Sequence, residues 1–335
     1  MIKKTFLLGL SSLLFSLNGF AATEVRLAVH KSFSLPQEVL AKFEQENNAK
    51  VSIIKVGSGN EMLNKLILSR ANPIADAVYG LDNANIGKAS QSGILAIHQP
   101  RSKTTVAGLP GIAAVNYAYV AINYDKKWFD QKGLALPKTL EDLTKPEYKD
   151  LLVMPNPGTS SPGLAFLMAN IGYMGEQKAF SWWGNMRKNG VKITKSWSDA
   201  YYTEFTQNGG SRPLIVSYTT SPAAEVFFSK GRYRVPPTGN LLLKGGVYRQ
   251  VEGAAVLRGA AQPALAGKLV AFLQAPEAQQ ALPAEMWVYP AIKGTRLPLA
   301  FSFAEPPPEH STPGYSTITR KQQQWVNRWI RTVLR

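Results

Sequence analysis

From Glu24 to His30 the chain alternates apolar and polar positions, with Val25, Leu27 and Val29 on one face. Leu35, Val39, Leu40 and Phe43 then share a helical stripe, and Val51 to Val56 reads as a second strand. Strand, helix and strand in this order predict a βαβ unit and therefore a mostly parallel sheet covered by helices. Glu61 to Leu68 restarts the helical period after the Gly57-Ser58-Gly59 turn, and Ala75 to Tyr79 reads as a strand ending at Gly80 to Asn83. In open α/β sheets ligands sit beyond the carboxyl ends of the strands. The loops His30-Lys31-Ser32, Gly57-Ser58-Gly59 and Leu81-Asp82-Asn83 are therefore candidate ligand contacts.

The apolar segment Ala113 to Tyr124 is about twice the usual strand of ~5–6 residues, as expected of one strand passing between two lobes. A second α/β block follows. It comprises a helix from Thr139, a strand Leu151 to Met154, a helix from Gly163, a helix Glu176 to Asn189, and strands near Val191 to Thr194 and Leu214 to Val216. After Val247 to Val251 the chain returns to the first lobe, with helices Pro263 to Leu273 and Pro276 to Leu282. At the carboxyl end Trp325, Val326, Trp329, Ile330, Val333 and Leu334 fall on one helical face, while Arg320, Lys321, Arg328, Arg331 and Arg335 add charge. Such a helix suits a membrane surface or packing of its two tryptophans on its own lobe, and the second is the expectation.

Composition narrows the chemistry. With 335 residues, 45% of them hydrophobic, the chain is long enough for about two domains and can bury a core, which excludes wholesale disorder. It has no cysteine, so disulfides, thiolate zinc sites, thiol nucleophiles and lipidated anchors are all excluded. His30, His98 and His310 show no metal-binding spacing, and neither a metal nor a cofactor is expected. Lys3 and Lys4 precede an apolar run from Phe6 to Phe15 and the small-residue pattern Gly19-Phe20-Ala21, which predicts a secretory signal peptide over residues 1–21. The run is too short for a spanning helix of ~20 residues. A soluble, exported, periplasmic protein is expected. Its net charge of +16 is scattered along the chain, and export removes nucleic acid as a partner.

Four segments combine aromatic, hydroxyl and turn residues. Asn156 to Gly163 places Thr159, Ser160 and Ser161 before a predicted helix, where free amides and the positive end of the helix dipole suit an anion or merely a cap. Lys195 to Tyr202 carries Trp197, and Ser217 to Ala223 carries Tyr218 and Thr220. Met286 to Pro290 sets Trp287 and Tyr289 at strand spacing, predicting that both rings point the same way. Rings at a cleft edge accept a cation or a flat heterocycle. Together these segments suggest a ligand that is flat and cationic at one end and phosphorylated at the other.

The succession Ala75 to Asn83, Thr159 to Leu164, Thr194 to Tyr201, Leu214 to Ala223 and Trp287 to Pro290 resembles the periplasmic thiamine-binding proteins of ABC importers, in order and over nearly the whole mature chain. The resemblance implies a two-lobed periplasmic binding protein fold of type II, each lobe a mixed, mostly parallel sheet flanked by helices. Lobe 1 would span residues 22–120 and 248–300, and lobe 2 residues 121–247 and 301–335, with hinge strands between them. It implies a monomeric receptor, not an enzyme, that delivers thiamine, thiamine monophosphate or thiamine diphosphate to an inner-membrane ABC permease with a cytoplasmic ATPase. Trp197, Tyr218 and Trp287 would form the aromatic walls, and Thr159, Ser160 and Ser161 would face the hydroxyethyl or phosphate end. The loop residues His30, Ser32, Ser58 and Asp82, with Thr220 and Tyr289, complete the expected set.

The chain also departs from the family pattern. His30-Lys31 stands where an aromatic and an acid are usual, Gly57-Ser58-Gly59 replaces an acid-containing loop, and Ala224 replaces a tyrosine. With an acid lost and basic residues gained, these changes predict a pocket shifted toward anionic ligands. The rival receptors are ferric-ion binders, given Tyr201-Tyr202 and His30, and organophosphate or aminophosphonate binders. From another class, an exported hydrolase would need Ser160, His30 and Asp199 as a triad, but there is no Gly-x-Ser-x-Gly elbow.

Overall fold

A computed structural model describes residues 22–100, 103 and 105–335. The signal peptide expected over residues 1–21 lies outside the described residues. The amino-terminal block is β1 (Thr23–Val29), α1 (Gln37–Asn47), β2 (Ala49–Lys55), α2 (Gly59–Leu68), β3 (Ala77–Asp82) and α3 (Ile86–Gln91). The long β4 (Ala113–Asp125) leads to α4 (Lys126–Lys132), β5 (Leu152–Pro155), α5 (Ser161–Met174), α6 (Glu176–Lys188) and β6 (Lys192–Thr194). Then come the short α7 (Trp197–Asp199), β7 (Leu214–Tyr218), α8 (Ser221–Phe228) and β8 (Thr238–Leu241). β9 (Tyr248–Val256), α9 (Pro263–Phe272), α10 (Pro276–Met286), β10 (Tyr289–Pro290) and α11 (Tyr315–Val333) complete the chain.

The strands form one curled mixed sheet in the order β2-β1-β3-β9-β4-β7-β5-β6, with β8 and β10 also paired to β4. β1 is parallel to β2 and β3, and β5 is parallel to β6 and β7. β4 joins the two parallel sets because its 13 residues serve different partners along their length. Ala113 to Val120 pair antiparallel with β9, and Val120 to Tyr124 pair antiparallel with β7. Val25, Leu27 and Val29 enter one core with Leu269 and Val270 of α9, while Ala28 faces another with Met62, Leu63 and Leu66 of α2. Helices therefore cover both faces, as a parallel sheet requires. A third core gathers around Val120, Ile122 and α5, a helix apolar on almost every side and correspondingly buried.

Three local expectations change. The segment from Thr139 forms only the single turns Asp142–Thr144 and Pro146–Tyr148, because Pro137 and Pro146 leave no room for a regular helix between them. The strand expected to end at Tyr79 runs on to Asp82 through a bulge at Gly80, whose φ of 103° only glycine adopts readily. The bulge draws Asp82 out of the expected loop and into the sheet. Finally, α11 buries Trp325 and Trp329, the latter edge-on to Trp183 of α6 at 5.6 Å. It packs on α3 as well as α6, with Lys88 Nζ donating to Gln323 Oε1 at 3.0 Å, so the helix rests on both parallel blocks.

Candidate functional site

A cavity of about 760 Å³ opens where strand ends and helix starts from both parallel blocks converge. His30, Lys31 and Ser32 line it just beyond β1, Ser58 and Gly59 at the start of α2, Ser160 and Ser161 at the start of α5, and Trp197 at α7. Tyr218 and Thr220 lie at the β7–α8 junction, and Trp287 follows α10. The two helix starts touch. A Cβ on Gly59 would lie 2.1 Å from Ser161 Oγ, so glycine permits this approach. Asn60 Nδ2 donates to Pro157 O at 3.0 Å, and Glu61 N to Thr159 O at 3.2 Å.

Three residues of the expected set lie off the cavity wall. The Thr159 hydroxyl donates to Lys195 O at 2.6 Å and serves the loop. Asp82, buried by the Gly80 bulge, accepts the amides of Ala84 and Asn85 at 2.9 Å and fixes the entry to α3. Tyr289 is buried with its hydroxyl donated to Ala304 O. Trp287 and Tyr289 do not continue one strand. Trp287 ends α10 in the left-handed region at φ 55°, and only Tyr289 and Pro290 form β10. Holding a non-glycine residue there costs about 1–2 kcal/mol, a cost more often met at functional positions than elsewhere.

The aromatic side chains are held by neighbours rather than left to pivot. Trp197 donates Nε1–H to Ser217 Oγ at 2.8 Å and stacks on Tyr201 with centroids 5.0 Å apart. Tyr201 in turn donates to Glu225, whose other oxygen accepts Thr238 Oγ1 at 2.5 Å. Trp287 stacks on Phe301 at 5.4 Å and 9°, with Phe227 and Phe228 against its edges. Among the described residues His30 Nε2, Asn116 Oδ1, Thr220 Oγ1, Gln250 Oε1 and Trp287 Nε1 are buried without a hydrogen-bond partner, and all five residues line this cavity. Buried polar groups are nearly always paired, so their concentration here marks a place built for a polar ligand.

The wall carries charged groups of both signs, so the pocket is not simply anion-seeking. Burial, and Lys55 nearby, push the His30 imidazole down to about 4, so it is neutral at physiological pH. Lys31 Nζ donates to Ser196 Oγ at 2.7 Å across the cavity, and Ser196 donates to Asp199 Oδ2 at 2.6 Å. His30 is thus no cation for a ligand, whereas Lys31 keeps its charge and Arg232 adds a second positive group to the wall. Three carboxyl groups, Glu225, Glu252 and Glu285, line the wall as well. Burial pushes Glu252 up to about 7, and burial together with Glu252 pushes Asp82 up to about 7. Asp199 is engaged by Ser196, and His30 Nε2 faces Glu252 at 3.9 Å, so the nominal Ser160-His30-Asp199 triad is not wired as one. No group of three or more His, Asp or Glu among the described residues could hold a metal ion.

Sequence reasoning missed Gln250, Glu252, Glu225 and Arg232 on the wall. A signal for the first two existed. Two polar residues at i and i+2 share one face of β9, and a buried strand face rarely carries an acid without a reason.

Residues 72–312 match the model of the bacterial extracellular solute-binding protein family. The chain is 32% identical over 306 residues to the thiamine-binding periplasmic protein of Brucella melitensis, covering 88% of this chain and 86% of that one. It is 30% identical over 326 residues to the thiamine-binding periplasmic protein of Escherichia coli, covering 94% and 95%. Among solved structures, a periplasmic thiamin binding protein superposes with a TM-score of 0.81 at 28% identity over 93% of this chain and 96% of that one. The two-lobed fold of periplasmic binding proteins, type II, is therefore the fold of this chain. With a family match over most of its length and relatives aligned almost end to end, the chain belongs to the bacterial extracellular solute-binding proteins.

Proposed function

We propose that this protein is a periplasmic receptor for thiamine, which it hands to an inner-membrane ABC permease driven by a cytoplasmic ATPase. The observation that carries the reading is the lining of one cavity, where Trp197, Tyr218 and Trp287 stand with the buried Glu252 carboxyl. Thiamine presents two flat rings, one with a permanent positive charge, and tryptophan faces and a carboxylate are its natural partners. The relatives named thiamine-binding support the same choice. In this reading the receptor is an exported monomer and not an enzyme. Residues 22–120 with 248–300 close against residues 121–247 with 301–335 when the ligand touches both, shifting the population toward the closed form.

Thiamine monophosphate and diphosphate belong to the same reading, with the ester directed at Ser160 and Ser161 where α5 begins. Because the three carboxyl groups Glu225, Glu252 and Glu285 on the wall outnumber the cations Lys31 and Arg232, free thiamine binds at least as tightly as either ester. Calorimetric titration of the purified protein with the three compounds checks this. Binding of the esters tenfold tighter than thiamine contradicts the ranking, and absence of binding by all three contradicts the function.

The Lys31 contact gives a second expectation. Lys31→Met removes a bond that ties the two sides together without touching the cavity floor. Affinity for all three ligands falls by about 1 kcal/mol, roughly fivefold, since the lysine is largely exposed and its bond is discounted for screening. A selective loss of the phosphate esters would instead make Lys31 an ester contact.

A further inference from the structure

Glu252 lines the floor of the cavity, and a second carboxyl group, Asp82, lies buried behind it. Glu252 Oε1 accepts Gln250 Nε2 at 3.2 Å, and the same nitrogen donates to Asp82 Oδ2 at 3.1 Å, so one amide bridges both acids. Tyr79 OH lies 3.4 Å from Glu252 Oε2, and the Tyr79 oxygen accepts the Asn116 amide from β4. His30 Nε2, at 3.9 Å, is the nearest basic group to Glu252, and it is neutral. Among the described residues no lysine or arginine forms a salt bridge with either acid. Lys31 is turned to Ser196, Lys55 on β2 lies near His30, and Arg232 on the cavity wall is bridged to neither acid. From the other walls the cluster faces Tyr218 of β7 and the Tyr248 ring of β9, neither of which supplies a cation. Glu285 in the last turn of α10 adds further negative charge to the wall.

Two buried acids without a counter-charge hold protons that a cation would displace. We propose that Glu252 is the counter-charge for the cationic ring of the ligand, and that ligand entry releases one proton from the Glu252–Gln250–Asp82 cluster to solvent. The carboxyl O–H breaks, its electron pair stays on Glu252, and the resulting carboxylate faces the ring. This deepens the thiamine reading and rests on it. The elevated carboxyl, near 7, sets the range in which the effect is read. Below that value the free receptor is protonated and must lose a proton to bind, so affinity falls as pH falls. Above it the carboxylate is already formed and affinity levels off.

Calorimetric titration with thiamine between pH 6 and 8, in pairs of buffers with different ionisation heats, tests the proposal. Affinity is expected to rise about tenfold from pH 6 to pH 8, with close to one proton released at pH 6 and little at pH 8. Glu252→Gln, which keeps the shape and cannot ionise, is expected to bind more weakly at pH 8, to show a flat pH profile and to release no proton. Its thermal unfolding curve at pH 6 verifies that it folds. Wild-type binding with no proton release and a flat profile overturns the proposal while leaving the thiamine reading intact, and that test needs no variant. A Glu252→Gln protein that keeps the wild-type pH profile overturns the assignment to Glu252. Absence of thiamine binding at every pH overturns both readings.

Discussion

Replacing Trp197 with alanine lowers the affinity for thiamine by about 1–3 kcal/mol, roughly 5- to 150-fold, the range lost when an aromatic platform under a stacked ring is removed. The size follows from preorganisation. The indole is pinned by Ser217 at 2.8 Å and backed by Tyr201 at 5.0 Å, so the free receptor spends no side-chain entropy in presenting its face. Tyr201 is itself held by Glu225, and Glu225 by Thr238, which makes the platform rigid through three further residues. Trp197→Phe keeps a face but loses the Ser217 bond and falls between the two. Because Trp197 is only half-buried, the melting temperature of the free protein changes little. Unchanged thiamine affinity in Trp197→Ala removes this ring from the site.

Trp329→Ala produces the opposite pattern. Its side chain is fully buried, edge-on to Trp183, within the core that α11 shares with α5 and α6. Large-to-small replacement at such a position costs about 3–5 kcal/mol, because the surrounding helices cannot collapse into the space. A fall in melting temperature on the order of 10 °C is expected. At temperatures where the variant remains folded, thiamine affinity stays within about twofold, since α11 contributes nothing to the cavity wall. Thermal unfolding and titration of the same sample separate the two effects. A melting point within about 2 °C of the parent contradicts the placement of this helix in the core.

Much of this arrangement is legible from periodicity. The alternation at Val25, Leu27 and Val29 and the stripe at Met62, Leu63 and Leu66 place β1 and α2 within two residues of where they form. The excess length of the Ala113 segment corresponds to a strand that pairs with β9 along its first part and β7 along its second. What the pattern cannot carry is a change of direction made by one residue. Gly80 moves Asp82 from loop to sheet, and the left-handed turn at Trp287 separates a cavity ring from the buried Tyr289. Motif reasoning names Trp197, Tyr218, Trp287, Ser160, Ser161, His30, Ser32, Ser58 and Thr220, which all line one cavity because each sits at an element boundary.

Charge was the least legible property. The replacement at His30-Lys31 reads as a gain of two basic groups, yet burial neutralises the histidine and only Lys31, bonded to Ser196, keeps its charge. The acids that balance a cation come from the middle of β9 and from α8 and α10, far along the chain from the loops in which an acid is usual. Only the folded arrangement brings Glu252 beside His30.

The most direct test of the central claim is a crystal structure of the protein with thiamine bound. The account predicts both rings within the 760 Å³ cavity, one stacked on Trp197 or Trp287 and the charged ring nearest Glu252. Thiamine seated elsewhere, or with its charged ring turned away from Glu252, would contradict it.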